Sequence, residues 1–485
     1  MSARRGLTYL LGGNAGAFAI QFAGSVAIAR LLSPPEMGVY AASMAIVWII
    51  NGVLNVGIPS YLVREREMPP EKLGTVFTLT AAQSAIFAVG LFLGAPLVGA
   101  LAHDLRVTQS VRILAWFGAL MPIYAMFAGL MQRHMKFDRV VLITLINVGV
   151  SAMFTIGLAA SGFSWASMPL GSGFGVTTAV GVAAVLQRAD LRSTGFSRAY
   201  LKPMLAYGAR IMGASMIMNF TNRVPDVMLT RVAGAGATGL YNRGANLIDT
   251  FNNSLMSSFQ RVLASQMART RDTEQGIGPT YAHMSRVVTG LFWPAFALLI
   301  VLAAPIVSFL FGARWLAAAP VLAISAAAGA LNMMVACRAE VMVTSGREKQ
   351  LPRIEAIRGF IGVVLFTCAA YWGGLIWAAL TRIVDALVAI ALYSPGIHAA
   401  TRLGWSSMAR VFARSALVAA ITAAPALAGM AWLGFPQSLP PIELIGLLAL
   451  CGAAWLASLF VTRHELAAEV ARAFGMIRAR LPGFA

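Results

Sequence analysis

Charge is scarce in this sequence. Only 11% of its 485 residues are charged, while 59% are hydrophobic. An ordinary soluble domain carries about 25% charged residues. Mean hydropathy is +0.75, and so apolar a soluble fold would have too little polar surface to face water. Acidic residues are scarcer than basic ones, 18 against 37, which leaves a net charge of +19. A basic excess can mark a nucleic-acid partner. Here the basic residues lie between apolar blocks and form no continuous stripe, which excludes that class. Cysteines number three, Cys337, Cys368 and Cys451. All lie inside apolar blocks, so the expectation is buried thiols and no disulfide. The five histidines are scattered over loops and span edges, and none pairs with another His or Cys as a metal-ligand set. There is no Walker A sequence, which argues against direct use of ATP. Gly171-x-Gly173-x-Gly175 sits in an apolar span with no charged nucleotide site after it, so it is not a dinucleotide loop. No loop can hold a catalytic domain, since the longest is about 20 residues. No enzyme activity and no cofactor are expected.

What the chain has in abundance is apolar blocks long enough to cross a bilayer, such as 76–101, 140–161 and 442–462. In lipid such blocks must be helices or barrel strands. Continuous apolar runs without strict alternation exclude a barrel. The reading is all-α, with fourteen spans near 8–32, 37–62, 75–102, 110–131, 140–161, 164–186, 206–232, 237–264, 287–311, 316–345, 354–373, 374–396, 411–434 and 441–462. Arg4 and Arg5 precede the first span, which is longer than a signal-peptide core and is read as an uncleaved helix. Arg30, Arg112, Arg231, Arg261 and Arg414 lie near span ends and are counted with the loops they adjoin. On that count 26 basic residues fall at the N-terminus, the even-to-odd loops and the C-terminal tail, against five on the other side. Both termini are therefore expected in the cytoplasm.

An ungapped shift of 201 residues superposes Gly12 on Gly213, Arg30 on Arg231, Gly38 on Gly239, Tyr40 on Tyr241 and Asn51 on Asn252. The pattern R-x7-G-x-Y thus occurs twice. It implies a first lobe over residues 1–202, a second over 203–400, an appended helix pair over 401–462 and a cytoplasmic tail over 463–485. Six spans per lobe give a parallel repeat, a common transporter design. In the tail, Leu466, Val470, Phe474, Ile477 and Leu481 share one helical face, which suggests a helix lying on the membrane surface.

Ionisable groups inside a membrane are costly and face a cavity or a partner. They comprise Arg210, Arg223, Asp226, Arg243, Asp249, Arg338, Glu340, Arg358, Arg382 and Asp385, all in the second half. Ser215, Asn219, Asn222, Asp226 and Thr230 share a face of span 7. Asn14, Gln21 and Ser25 form the matching stripe of span 1, and span 8 carries Asn242, Asn246, Asp249, Asn253 and Ser257. The candidate substrate contacts are Arg210, Arg223, Arg243, Asn219, Asn222, Asn246, Asn14 and Gln21. The candidate ion-coupling acids are Asp226, Asp249 and Asp385. The pairs Arg223–Asp226 and Arg382–Asp385 are at i,i+3 spacing, and simple mutual neutralisation is the alternative reading of both. Arg243 is the leading candidate for an anionic contact, because Arg223 has an acid one turn away and Arg210 can snorkel to the interface.

The segment ARLLSPPEMGVYAASMAIV, Ala29–Val47, resembles the first helix-turn-helix of bacterial polysaccharide flippases of the multidrug, oligosaccharidyl-lipid and polysaccharide exporter superfamily. GLMQRHMKFDRVVLI after span 4 and GATGLYNRGANL at the start of span 8 are similar to the same family. The resemblance implies movement of an oligosaccharide on undecaprenyl diphosphate across the bacterial inner membrane, by two lobes rocking about a polar cavity. It implies a lipid-linked oligosaccharide as substrate, membrane lipids as surroundings, and a polysaccharide polymerase and chain-length regulator as partners. A drug or cell-wall lipid precursor exporter of the same superfamily is the alternative, followed by a membrane polymerase or ligase.

Overall fold

A computed structural model describes residues 3–188, 195–270 and 276–472. Among the described residues every regular element is a helix. The chain forms two compact units, Met1–Asn242 and Arg243–Ala485. Their boundary lies inside the helical stretch that holds spans 7 and 8.

In the first unit α1 (Ala3–Leu31), α2 (Pro34–Leu54), α3 (Ile58–Arg64), α4 (Pro70–Ala102), α5 (Leu105–Gly118), α6 (Leu120–Arg133), α7 (Phe137–Ala160) and α8 (Ser167–Leu186) follow in order. Then α9 (Arg198–Thr270) crosses into the second unit, where α10 (Gly278–Val301), α11 (Ala303–Phe311), α12 (Ala319–Asn332), α13 (Arg338–Thr344), α14 (Leu351–Thr401), α15 (Trp405–Trp432) and α16 (Pro441–Val461) complete the chain. Two long helices contain breaks where two spans were read. The backbone of α9 leaves helical geometry at Gly234 (φ 83°, ψ 167°), and that of α14 at Gly374 (φ 63°, ψ −143°). Positive φ is a conformation glycine adopts at little cost.

Other spans are less regular than the apolar pattern suggests. The second is interrupted after Leu54, where Gly57 takes φ 63° and Pro59 sits in the first turn of α3. This break lets α9 approach closely. A methyl group on Gly52 would lie 3.0 Å from Asn219 Cβ, and one on Gly208 would lie 2.9 Å from Val56.

Among the described residues, ten helical stretches are long and apolar enough to cross a membrane, including Pro70–Ala102, Leu105–Arg133 and Ala313–Thr344. The α9 stretch is not among them, because Asn219, Asn222, Arg223 and Asp226 interrupt its apolar run. Many large apolar side chains point outward, including Phe92, Leu93, Trp372 and Ile442. On a bilayer-spanning surface such residues meet lipid. Cys368 departs from expectation: Cys337 and Cys451 are buried, but Cys368 is exposed on the outer face of α14. An apolar block does not by itself distinguish a lipid-facing position from a packed one.

The tail also begins differently. Leu466 is buried with Val287, Val418 and Leu459, so protein packing seats its first turn. Nearby, His283 Nδ1 lies 2.6 Å and Arg286 Nε 2.8 Å from the Glu465 carboxylate. Burial alone would raise the pKa of Glu465, but these two partners outweigh it and hold the carboxyl below its usual range. Phe474, Ile477 and Leu481 lie outside the described residues.

Candidate functional site

Polar side chains collect in two places, one in each unit. In the first, α9 carries Asp226, buried at 6% exposure. Its Oδ1 accepts a 2.9 Å hydrogen bond from Asn242 Nδ2. An Arg223 guanidinium nitrogen stands 4.0 Å from its Oδ2. Pro225 precedes the acid. One turn further, the Thr230 hydroxyl donates to the Asp226 carbonyl and meets Thr238 Oγ1 at 2.8 Å. These contacts tie the two halves of α9 together across the Gly234 break. Arg223 also lies over the Trp48 ring at 5.9 Å, and its side chain remains 40% exposed.

The second cluster joins α9, α13 and α14. The Arg358 fork donates to both carboxylate oxygens of Asp385, at 2.9 and 2.7 Å. The same guanidinium donates to Glu355 at 3.1 Å, and Tyr393 Oη donates to the other Glu355 oxygen at 2.8 Å. Arg338 lies 3.5 Å from Glu355 and over the Tyr393 ring. Arg382 reaches Asp249 on α9 at 2.5 Å. Bidentate arginine–carboxylate pairs of this kind are strong and orientation-specific.

The expected i,i+3 partnership of Arg382 with Asp385 is therefore replaced by two longer-range ones. Asp385 is taken by Arg358, and Arg382 reaches a different helix. The break at Gly374 folds α14 back so that residues 27 positions apart in sequence meet. Glu355 was missed by the sequence reading. The signal was present, because Glu355 and Arg358 stand at i,i+3 spacing just inside span 11.

The remaining candidates scatter. Arg243 lies against two rings, 4.8 Å from the centre of Phe311 and 5.3 Å from that of Trp315, a cation–π arrangement that covers its face. Asn219 donates to the Ser215 carbonyl at 2.9 Å and packs on Gly52, a helix-packing position. Arg210, Asn222, Asn246 and Gln21 are exposed. The side chains of Asn14, Asn253 and Ser257 lie outside the described residues.

Long apolar helices with charged groups gathered in them define a multi-pass membrane protein. Its fold matches a structure of the lipid II flippase MurJ in an inward closed conformation, with a TM-score of 0.74 and 11% identity over 94% of this chain and 98% of that one. An inward-facing multidrug resistance MATE family transporter matches at 0.65, with 13% identity over 79% and 96%. Residues 27–320 match a family model described as polysaccharide biosynthesis protein, and the chain belongs to that family. It is 24% identical over 311 residues to the lipopolysaccharide biosynthesis protein WzxC of Escherichia coli (strain K12), covering 63% of this chain. It is 25% identical over 315 residues to the succinoglycan biosynthesis transport protein ExoT of Rhizobium meliloti (strain 1021), covering 64% of this chain. The chain spans 62% and 63% of the length of these two relatives.

Proposed function

We propose that this chain moves an oligosaccharide carried on undecaprenyl diphosphate from the cytoplasmic to the periplasmic leaflet of the bacterial inner membrane. The observation that carries the reading is the partly open Arg223 guanidinium on the polar stretch of α9. An uncompensated arginine near mid-membrane costs about 2.5–3.5 kcal/mol on insertion scales. Asp226 offsets part of that cost at 4.0 Å, and an anionic diphosphate would supply the rest. Exposed Asn222, next to Arg223 in α9, suits a sugar hydroxyl. Arg223 replaces Arg243 as the leading diphosphate contact, since aromatic rings cover Arg243. Arg210 remains a candidate for first capture near the cytoplasmic face.

Counting α9 and α14 as two spans each, and α1 as one, extends the ten apolar stretches to fourteen. The family names of WzxC and ExoT support a glycan cargo. A periplasmic polymerase and chain-length regulator would receive it. The decisive experiment reconstitutes the purified protein in liposomes with a labelled undecaprenyl-diphosphate oligosaccharide. Protein-dependent exchange between leaflets is the expected result. Folded protein that leaves the lipid on its starting side would overturn the reading.

Orientation follows from the loop charges. With Cys368 replaced by Ser, cysteines at exposed Lys202 and Lys349 should resist an impermeant maleimide added outside cells. Cysteines at Leu105 and Phe435 should react. The reverse pattern would invert the topology.

A further inference from the structure

The two copies of the R-x7-G-x-Y pattern meet in space. Under the 201-residue shift, Pro34 corresponds to Ala235 and Gly38 to Gly239. A methyl group on Gly38 would overlap the Ala235 carbonyl oxygen and lie 3.0 Å from Gly239 N. A methyl group on Gly239 would overlap the Pro34 carbonyl oxygen and lie 3.1 Å from Gly38 N. The contact is reciprocal: the shift that relates the repeats maps it onto itself. Here α2 and the second half of α9 touch backbone to backbone, an approach that only glycine permits. Neighbouring Gly236 is different, with Pro35 at an ordinary 3.5 Å.

Each side of this contact is anchored within its own repeat. Glu36 accepts from the Ser33 backbone at 2.6 Å and its hydroxyl at 2.7 Å, and the Ser164 hydroxyl also donates to it. Thr238 meets Thr230, which in turn donates to the Asp226 carbonyl. The two hairpins are thus firm bodies that touch through bare backbone. Such a contact can part and re-form without any side-chain rearrangement.

We propose that the Gly38–Gly239 crossing is a reversible seal at one end of the transport pathway. On the loop charges this is the periplasmic end, and the inference rests on the transport reading above. A side chain at either glycine acts as a wedge and shifts the population toward the state open at that end.

The test uses full-length protein carrying Cys368→Ser and a reporter Asn222→Cys. Gly38→Ala and Gly239→Ala should each raise periplasmic maleimide labelling of the reporter at least threefold. Gly236→Ala should leave it unchanged. Gly74→Ala, which overlaps the Gly195 carbonyl oxygen away from the crossing, should lower abundance without raising labelling. Independently, a Pro35→Cys/Gly236→Cys pair lacking the reporter should block transport when oxidised and recover when reduced. Unchanged labelling in both wedge variants, or parental transport by the oxidised pair, would overturn the seal. If the wedges raise labelling but the parental protein moves no lipid-linked oligosaccharide, the seal stands and the cargo assignment fails.

Discussion

Asp226→Asn should reach the membrane at the parental level and transport at less than a tenth of the parental rate. The substitution keeps the shape and leaves an oxygen to accept from Asn242, so folding is spared. It removes the carboxylate that stands 4.0 Å from Arg223. If the acid changes protonation or partner during the cycle, that step is lost. A static ion pair makes a different prediction for the exchange Arg223→Asp with Asp226→Arg, which would restore neutrality and activity together. The geometry argues against such a rescue, because to accept from an arginine at position 226 the Asn242 amide would have to turn over and give up its bond to the Thr238 carbonyl. The measurement is the initial rate of leaflet exchange, normalised to protein in the membrane. Parental rates in Asp226→Asn, or in the exchanged protein, would remove Asp226 from the mechanism.

Arg358→Met should damage stability more than any other single change considered. It strips Asp385 of two charge-assisted hydrogen bonds and Glu355 of one. Removing one partner of a fully buried ion pair costs about 3–5 kcal/mol, most of it from the charge left unpaired, and this partly buried cluster should lose less than that. Adding Asp385→Asn to Arg358→Met should therefore recover part of the loss, a non-additivity that a double-mutant cycle reads directly. Thermal unfolding in detergent is the measurement. An Arg358→Met protein that melts with the parent would show that the cluster is not a structural clamp.

The sequence made the helices legible because lipid leaves the backbone no alternative. The positions of α4, α7, α15 and α16 follow from uninterrupted apolar runs, and the break of α14 falls at Gly374 where two spans were divided. The break between α2 and α3 was not legible, since Asn55–Gly57 interrupts an otherwise apolar stretch and only Gly57 followed by Pro59 hints at it. The buried charges were all visible as residue types. Their partners were not, because spacing along one helix suggests only i,i+3 and i,i+4 neighbours. Arg382 chose an acid 133 residues away, and Arg243 chose aromatic rings. Side-chain partners set by helix packing cannot be read from one helix alone.

That separation of 133 residues between Asp249 and Arg382 has a consequence for synthesis. At about 5–20 residues per second, Asp249 leaves the ribosome roughly 7–27 seconds before its arginine exists. The Asn242 amide that donates to Asp226 follows 16 residues later. The first unit can therefore settle its buried acid almost as it is made. The Asp249 segment must be sheltered by the insertion machinery, or held at the interface, until the second half of α14 arrives.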